Sequence, residues 1–566
     1  METNCVGYKM NSSVAKSDPA RVIAICTAIF LLGLLIISTI ILASVPPVSR
    51  DALVHHLAVP KLYLKHGGIY EIPSMSFSYY PMNLDLLYLI PLYFGNDIIP
   101  KFIHFCFALL TAGIIFNYLR RRQAKIYALY GVVFFLSIPI IVKLSITVYV
   151  DLGLTFFSTL SVISLLRWVE SNYRLRFLII SAVSCGLAMG TKYNGLIVFF
   201  LLSLFIPFIS SRYAKDCGPG FLNSAGRGLM FAVIALAVFS PWMIKNYIWT
   251  NNPVYPLYNQ WFNPQDPVAG SPLSLFEVRN YIYNESWWQM ILLPLRVFFQ
   301  GQDGSPQYFD GRLNPFLLLL PAVGFLKSKK DPQPIRVEKK ILLGFAVLFF
   351  SFAFFGSGIR IRYFCPMIPP LVILSAFGIE KITDLFREFG SLKLQNVGRA
   401  IFPLIIFSSL GWNAAYIPSQ YSYVKPFEYV TGTLTRDEYI EKHRPEYAAM
   451  KYIRRYLPED ANILFIFMGN RGYYCDRKYI FDIHNNQSRL QHLVKNTGDF
   501  EKVSLGLRDL GVTHLLIYHG VFDKWVKTGF SLEDQGVIRK FFERKSRLLF
   551  FQSGYGLYEL SLQPCV

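Results

Sequence analysis

Long apolar runs separated by short basic clusters constrain this sequence more than any other feature. The first run, residues 22–43, is about as long as the roughly 20 residues that an α-helix needs to cross a bilayer, and it is longer than the apolar core of a signal peptide. We interpret it as a retained helix, with cleavage near Ala43-Ser44-Val45 as the alternative. Only 16% of the 566 residues are charged, against about 25% in soluble globular proteins, which argues against a soluble fold.

Further apolar runs of similar length follow the first. The predicted spans are residues 22–43, 100–119, 126–143, 151–167, 177–190, 195–210, 228–244, 312–326, 341–355, 363–379 and 400–416. Two shorter stretches rich in aromatic residues, 82–94 and 287–299, are predicted as interfacial or re-entrant helices. The sequence therefore predicts an α-helical polytopic membrane protein with about eleven transmembrane helices.

The Lys and Arg residues predict the orientation of these helices. They cluster in loops at Arg120, Arg121, Arg122 and Lys125; at Arg167, Arg174 and Arg176; at Arg212, Lys215 and Arg227; and at Lys327, Lys329, Lys330, Arg336, Lys339 and Lys340. The positive-inside rule places these loops and the N-terminus in the cytoplasm, and an odd number of spans then places the C-terminus outside. Because topology accounts for the net charge of +20, no nucleic-acid partner is predicted.

From about residue 416 onward the composition becomes mixed and charged. The elements predicted there are a helix at 447–456, strands at 463–467 and 515–518, and a hairpin at 548–560 that turns at Gly554. We therefore divide the chain into a membrane domain, 1–417, whose first outer loop is 45–99, and a small extracytoplasmic α/β domain, 418–566.

This topology brings many ionisable side chains to the outer ends of the helices. They are Asp51, His55, His56, Lys61, Asp97, Asp151, Lys192, Lys245, Arg360 and Arg362. A charged group at membrane depth costs about 2–3 kcal/mol on insertion scales, so such groups tend to mark functional cavities. The sequence thus predicts an active site on the outer side of the membrane.

Two acids in this group are predicted to be catalytic. Asp51 is suited to take a proton from an acceptor hydroxyl that attacks C1 of a sugar, and His55 lies one turn further on the same face if the segment is helical. Asp151 is predicted to be a second acid that orients the acceptor or the donor. Capping of a helix N-terminus is the alternative for both carboxylates.

The cations of the group suit a phosphate leaving group. Arg binds phosphate through two N–H groups and Lys supplies a point charge, which matches the charge that grows as the bond to a polyprenyl phosphate breaks. The candidates are Arg360, Arg362, Lys192 and Lys61. Snorkelling of these side chains to lipid headgroups is the alternative.

No cofactor is predicted from the sequence. His55 and His56 suggest a divalent metal as a minor alternative, but there is no H-E-x-x-H, no D-x-D and no Cys/His set with fixed spacing. Residues 190–195 lack the form of a phosphate-binding loop, which argues against ATP-driven transport. Of the eight cysteines, only Cys475 and Cys565 are candidates for a disulfide in an oxidising compartment.

Several short motifs occur in a fixed order along the membrane domain. They are Asp51-x3-His55-His56-Leu57-Ala58-x-Pro60-Lys61-x-Tyr63-Leu64, Tyr79-Tyr80-Pro81-Met82-Asn83, Gly186-Leu187-Ala188-Met189-Gly190-Thr191-Lys192-Tyr193, Pro241-Trp242-x2-Lys245-Asn246 and Arg360-x-Arg362-Tyr363-x2-Pro366. Together they resemble the integral-membrane GT-C glycosyltransferases, specifically the protein mannosyltransferase and aminoarabinose-transferase group that includes the RgtA/B/C/D-like domain. The resemblance covers about residues 1–379 and leaves the C-terminal domain unmatched.

The resemblance implies a GT-C fold and a polyprenyl-phosphate sugar donor, with transfer to a lipid, glycan or protein acceptor. It also implies that Asp51 is the catalytic base and that the anomeric carbon is inverted. Some members carry Asp-Glu where this chain has Asp51-Ala52, which leaves Asp151, Asp97 or neither as the second acid. Substrate contacts are predicted for His55, His56, Lys61, Tyr80, Lys192, Asn246, Arg360, Arg362 and Tyr363.

Two other functions are alternatives. A transporter or flippase of lipid-linked glycans would have a similar number of helices, but transporters tend to show internal repeats and charges at the bilayer midplane. A non-catalytic scaffold that binds a glycolipid would tolerate replacement of Asp51. The sequence favours a glycosyltransferase of the cell or inner membrane, in contact with membrane lipid, whose site faces the extracytoplasmic side.

Overall fold

A computed structural model of the chain describes residues 19–213, 221–265, 274–326, 333–355, 359–388, 392–484 and 487–561. Most of the described residues are helical, and a small sheet lies near the C-terminus. The architecture is that of an integral membrane protein in which a bundle of apolar helices precedes a compact α/β region.

The helices of the N-terminal part follow the apolar runs of the sequence. They are Pro19–Ala43, Ala58–His66, Asn83–Tyr93, Ile99–Arg120, Lys125–Ser137, Pro139–Ser145, Asp151–Glu170, Leu175–Thr191, Gly195–Tyr213, Phe221–Thr250, Asn259–Phe262, Leu275–Glu277, Trp287–Ile291, Leu293–Phe299, Phe316–Gly324, Gln333–Phe354, Ile368–Glu388 and Leu392–Ala414. Short π-helical turns lie at Ala52–His56 and Val278–Ile282, and 3₁₀ turns at Ser76–Tyr79, Pro306–Tyr308 and Ile361–Met367.

Several of these helices are long and apolar enough to cross a bilayer. Among the described residues, six helical segments have the length and the apolar composition of a membrane span. They are Arg21–Ala43, Ile99–Arg120, Asp151–Glu170, Gly195–Arg212, Leu222–Thr250 and Ile361–Phe386. Every predicted span overlaps a helix, but several of those helices are shorter than a full span, so the number of eleven stays a prediction. The two stretches predicted as interfacial or re-entrant also form short helices.

One predicted span differs clearly from the structure. Residues 126–143 were expected to form a single helix, but Lys125–Ser137 and Pro139–Ser145 meet at an angle of 64°. The break falls at Pro139, which has no N–H to continue the hydrogen-bond ladder. The second half therefore turns away from the first, and its Lys143 Nζ lies 3.1 Å from Asp310 Oδ1.

Small residues allow the helices near the site to pack closely. Leu175–Thr191 lies against both Asp151–Glu170 and Phe221–Thr250. A Cβ at Gly186 would stand 2.6 Å from the carbonyl oxygen of Ala235, so only glycine fits there. Between Asp151–Glu170 and Leu175–Thr191, the hydroxyls of the buried Ser161 and Ser181 each donate a hydrogen bond to the other residue's carbonyl oxygen.

The C-terminal region combines helices with a mixed sheet. Its strands are β1 (Asn462–Ile466), β2 (Lys478–Phe481), β3 (Ile483–His484), β4 (Gln487–Ser488), β5 (His514–Tyr518), β6 (Ser546–Gln552) and β7 (Tyr555–Leu560). Its helices are Tyr416–Val424, Pro426–Val430, Arg436–His443, Tyr447–Tyr456, Arg489–Thr497, Phe500–Asp509, His519–Gly529 and Leu532–Lys545. The order of the main sheet is β2-β1-β5-β7-β6, with β1 parallel to β2 and β5, and β7 antiparallel to both of its neighbours.

The elements predicted for this region are confirmed. The helix has the predicted bounds, each predicted strand is displaced by at most one residue, and the hairpin turns at Gly554, whose φ of +80° favours glycine. The sequence missed β2, which pairs in register with β1 through Lys478 and Phe481. Cys475 is buried as a free thiol in this region, and Cys565 lies outside the described residues, so their pairing stays a prediction.

The contact between Phe316–Gly324 and Ile368–Glu388 gives a test of this packing. A Cβ at Gly378 would stand 2.1 Å from the carbonyl oxygen of Leu320. Because backbone must shift to admit it, we expect Gly378→Ala to cost about 1–3 kcal/mol and to lower the apparent Tm of the purified protein in detergent.

The matched control is Gly344→Ala, since the nearest atom to its Cβ is Phe205 Cζ at 3.8 Å. Alanine is a better helix former than glycine, so this variant should keep or raise the apparent Tm. Equal Tm values for the two variants would contradict the packing described for these helices.

Candidate active site

The site begins where the first helix ends. After Pro19–Ala43 the chain runs through Pro46 and Pro47 to Asp51, which precedes the π-helical turn Ala52–His56. The Asp51 side chain makes no capping hydrogen bond to this turn. The capping alternative is therefore wrong for Asp51, and its carboxylate is directed elsewhere.

The partner of Asp51 is an arginine from the other end of the membrane domain. Arg362 Nη1 lies 2.6 Å from Asp51 Oδ2, and its side chain is only 11% exposed. The guanidinium carbon also lies 5.0 Å from the ring centre of Tyr149 and 5.4 Å from that of Tyr363. Arg362 therefore does not snorkel to lipid headgroups, as the alternative interpretation required.

A second ion pair lies beside the first. Lys192 Nζ donates to Asp151 Oδ1 at 2.6 Å, at the junction of Asp151–Glu170 with the end of Leu175–Thr191. The same Nζ lies 4.8 Å from the ring centre of Tyr363, which Arg362 also contacts. We call Asp51, Arg362, Asp151 and Lys192 the ionic cluster. It unites both predicted catalytic acids with two of the predicted phosphate ligands.

The cluster retains unused hydrogen-bonding atoms. Asp151 Oδ2 and Arg362 Nε are buried and have no hydrogen-bond partner among the described residues. His55 Nδ1 is in the same state, and its ring stacks on Phe77 at 4.3 Å. Buried polar atoms are normally paired, so these atoms mark a place where a polar ligand would complete the set.

Electrostatics keep Asp51 ionised. Burial raises the pKa of its carboxyl, but the Arg362 guanidinium, with smaller contributions from His55 and His56, outweighs burial and holds the pKa well below its usual range. Asp51 is thus a carboxylate at physiological pH, the form that a proton acceptor requires.

A third acid was missed by the sequence analysis. Asp85, on the short helix Asn83–Tyr93, accepts a hydrogen bond from His56 at 2.7 Å between Oδ1 and Nδ1, and both side chains are less than a tenth exposed. Burial raises the pKa of Asp85 to about 7 and lowers that of His56 to about 3, so the contact is a hydrogen bond rather than a pair of full charges. The sequence did contain a signal for Asp85, namely a carboxylate within an apolar stretch, because a buried carboxylate needs a hydrogen-bonding or charged partner.

Several other predicted residues lie around the cluster. Tyr80 packs against Tyr193 at 5.3 Å between ring centres, and Phe77 connects it to His55. Asn246 is buried and donates to the Tyr193 hydroxyl at 3.0 Å. These contacts support the walls of the site, and direct binding of substrate by Tyr80 or Asn246 stays a prediction.

Two predicted phosphate ligands have partners outside the cluster. Lys61 Nζ lies 2.7 Å from Asp476 Oδ1 and donates to the Tyr473 carbonyl at 2.8 Å, both in the C-terminal region. Arg360 faces Asp310 at 3.8 Å, which also binds Lys143. Both cations are thus paired with carboxylates outside the ionic cluster, and their role as phosphate ligands stays a prediction.

Asp97 also lies apart from the ionic cluster. Its carboxylate binds Arg436 at 2.5 Å and the Tyr473 hydroxyl at 3.1 Å. Of the two acids left open as the second one, Asp151 is therefore the one that joins Asp51 in the cluster. Among the described residues no group of three or more His, Cys, Asp or Glu side chains is arranged to hold a metal ion.

The C-terminal region holds the backbone on both sides of Asp51. The Tyr474 hydroxyl donates to the carbonyl of Pro47 at 2.8 Å, and Arg444 Nε donates to that of Val48. The Tyr473 N–H donates to the carbonyl of Leu53 at 3.2 Å. The position of the catalytic candidate thus depends on residues about 400 positions later in the chain.

Comparisons with known proteins concern the sequence and the fold of the chain. Residues 72–246 match the model of a family described as dolichyl-phosphate-mannose-protein mannosyltransferase, and no curated protein sequence matches the chain. In fold, the chain is similar to apo ArnT from Cupriavidus metallidurans, with a TM-score of 0.57 at 12% identity over 94% of this chain and 98% of that one. The same enzyme bound to undecaprenyl phosphate gives 0.53 at 13% identity, over 96% and 98%.

A third similar structure is the archaeal oligosaccharyltransferase AglB from Archaeoglobus fulgidus, in complex with an inhibitory peptide and a dolichol-phosphate. Its TM-score is 0.50 at 14% identity, over 94% of this chain and 74% of that one. The predicted GT-C fold is confirmed. The likeness in fold continues past residue 379, where the sequence motifs end, into the C-terminal region.

The pair of Asp151 and Lys192 gives a test of how the charges support one another. Lys192→Met leaves the Asp151 carboxylate buried without its partner, which we expect to cost about 3–5 kcal/mol. The double variant Asp151→Asn/Lys192→Met removes both charges and should recover much of that loss. Apparent Tm values and size-exclusion profiles in detergent would measure both effects.

Lys524→Met, at an exposed position, controls for the substitution itself and should leave the Tm unchanged. A double variant that is no more stable than Lys192→Met would contradict the coupling of the two charges.

Proposed function

We propose that this chain, which has the GT-C fold, transfers a sugar from a polyprenyl-phosphate carrier to an acceptor hydroxyl on the extracytoplasmic side of the membrane. The observation that carries the proposal is the ionic cluster, in which two carboxylates and two cations meet at the ends of several helical elements. Such a cluster combines the groups that accept a proton with the groups that stabilise a phosphate leaving group.

Asp51 is the proposed base. Arg362 binds its Oδ2 and keeps the carboxylate ionised, which leaves Oδ1 to accept the proton of an acceptor hydroxyl. The contacts of the C-terminal region hold the backbone on either side of Asp51. Attack from the face opposite the leaving phosphate inverts the anomeric carbon.

The two cations of the ionic cluster are the proposed ligands of the phosphate of the sugar donor. Arg362 Nε has no partner among the described residues, and Lys192 Nζ keeps N–H donors beyond the one used by Asp151. A phosphate placed between them would take both cations as ligands and gain stabilisation as its negative charge grows. Asp151 balances Lys192 in the absence of donor and, through its unpaired Oδ2, is suited to bind a sugar hydroxyl.

The similar structures support the class of donor. ArnT has been crystallised with undecaprenyl phosphate and AglB with a dolichol-phosphate, each a polyprenyl-type phosphate. The family model that matches residues 72–246 is also named for a dolichyl-phosphate sugar. The acceptor is proposed only as a lipid, glycan or protein that presents a hydroxyl or equivalent nucleophile.

The reaction is tested with purified protein in detergent. Radiolabelled undecaprenyl-phosphate and dolichyl-phosphate sugars serve as donors, with water, lipid A, lipid-linked glycans and short Ser/Thr peptides as acceptors. We expect the wild-type protein to transfer label and Asp51→Asn to be slower by about 10²- to 10⁴-fold, because the general base is lost.

Asp523→Asn removes a carboxylate from an exposed position of the C-terminal region and should transfer at the wild-type rate. Wild-type transfer by a folded Asp51→Asn protein would overturn the assignment of the base. Failure of the wild-type protein with every donor would contradict sugar transfer and favour the transport of lipid-linked glycans.

A further inference from the structure

The pair of His56 and Asp85 is the strongest feature of the site that the proposed reaction does not yet use. Both side chains are buried, and each comes from a different short helical element. A buried carboxylate bound to Nδ1 of a histidine fixes the ring and its tautomer, and it directs Nε2 towards the reacting groups in other enzymes that move protons.

The surroundings of His56 connect it to Asp51. The two residues lie five positions apart across the π-helical turn Ala52–His56, which is close to one turn of such a helix. The Tyr149 ring lies 5.6 Å from the His56 ring and 5.0 Å from the Arg362 guanidinium carbon, so one side chain bridges the pair and the ionic cluster. Burial lowers the pKa of His56 while the Asp51 carboxylate raises it, so the two side chains lie near each other.

Asp51 on its own is a weak final acceptor for a proton. Arg362 stabilises its ionised form, and the same stabilisation opposes protonation during the reaction. A second group that takes the proton onward would remove this obstacle. His56 has this capacity because its imidazole is neutral and Asp85 occupies only Nδ1, and, unlike its neighbour His55, it is bound to a buried carboxylate.

We infer that His56 and Asp85 form a proton relay that receives the acceptor proton from Asp51, an assignment that rests on the proposed sugar transfer. The acceptor oxygen forms a bond to C1 of the sugar while the bond from C1 to the phosphate oxygen breaks, and that electron pair leaves with the polyprenyl phosphate. The hydroxyl proton passes through the Asp51 carboxylate to His56 Nε2. The imidazolium that results is balanced by the Asp85 carboxylate, and the proton leaves to water after the product.

The relay predicts a characteristic dependence on pH. Burial raises the pKa of Asp85 to about 7, so its carboxylate is available to balance an imidazolium mainly above that pH. The charged or titratable groups that face the pair from the packed elements are His55, Asp51, Tyr63, Tyr88, His104, Tyr149, Asp151, Lys192 and Arg362. We expect kcat to rise with pH and to level off above about 7 in the wild-type protein, and Asp85→Asn to lose this rise.

The decisive experiment compares kinetic constants with the donors and acceptors named above. His56→Gln and Asp85→Asn should each lower kcat by about 10²-fold or more with little change in the KM of the donor, because neither residue is assigned to the phosphate. The double variant should be no slower than either single variant, since the two residues act as one unit. Asp85→Glu should restore part of the rate, because it keeps the carboxylate.

A spectroscopic measurement separates a relay from a purely structural contact. In protein labelled with ¹⁵N-histidine, His56 should carry its proton on Nδ1 in the wild type and should lose this preference in Asp85→Asn. His66, an exposed residue on the next helix that stacks on Tyr70, gives the matched control: His66→Gln should keep the wild-type kcat and pH profile.

The outcomes distinguish the relay from the reaction itself. Transfer that is present in the wild type and lost in Asp51→Asn establishes the reaction without reference to His56. Against that background, a His56→Gln protein with the wild-type kcat and pH profile would overturn the relay alone. A fall in kcat matched by an equal fall in the bound fraction of undecaprenyl phosphate would also overturn it, since it would place His56 in donor binding.

Discussion

The need to compensate buried charge determines how this membrane protein is organised. Asp51 and Asp151 lie where an isolated carboxylate would be strongly disfavoured, and each is bound to a cation at 2.6 Å. Arg362 and Lys192 belong to distant parts of the chain, so the two pairs join four elements at one place. The helix ends are positioned by these pairs as much as by apolar packing, and the chemistry proposed for the site uses the same four side chains.

The C-terminal region adds a second constraint on the same place. It reaches the loop of Asp51 with backbone and side-chain hydrogen bonds from Tyr473 and Tyr474, and it binds Lys61 through Asp476. These contacts indicate that the C-terminal region holds the loop that carries Asp51.

The elements that sequence predicted well depend on local pattern, and the failures depend on tertiary pairing. Apolar length located the membrane helices, and turn chemistry at Gly554 located the terminal hairpin. Charge and predicted topology also grouped Asp51, Asp151, Lys192 and Arg362, which the structure brings together in two ion pairs. Nothing local indicated that Lys61 would be held by Asp476, because attraction between charges does not depend on their separation in the chain. Asp85 was missed because the apolar residues around it outweighed a single carboxylate.

The atoms that the fold leaves unpaired give the strongest physical reason to regard the cluster as a functional site. If compensation of charge were its only purpose, Arg362 Nε and Asp151 Oδ2 would be expected to find partners within the protein. Each unpaired buried polar atom costs about 1–3 kcal/mol, a loss that folding alone gives no reason to keep. A ligand with both anionic and hydroxyl groups, such as a phosphate-linked sugar, would satisfy both atoms at once. The low dielectric that makes these unpaired atoms costly would also strengthen the bonds that such a ligand forms.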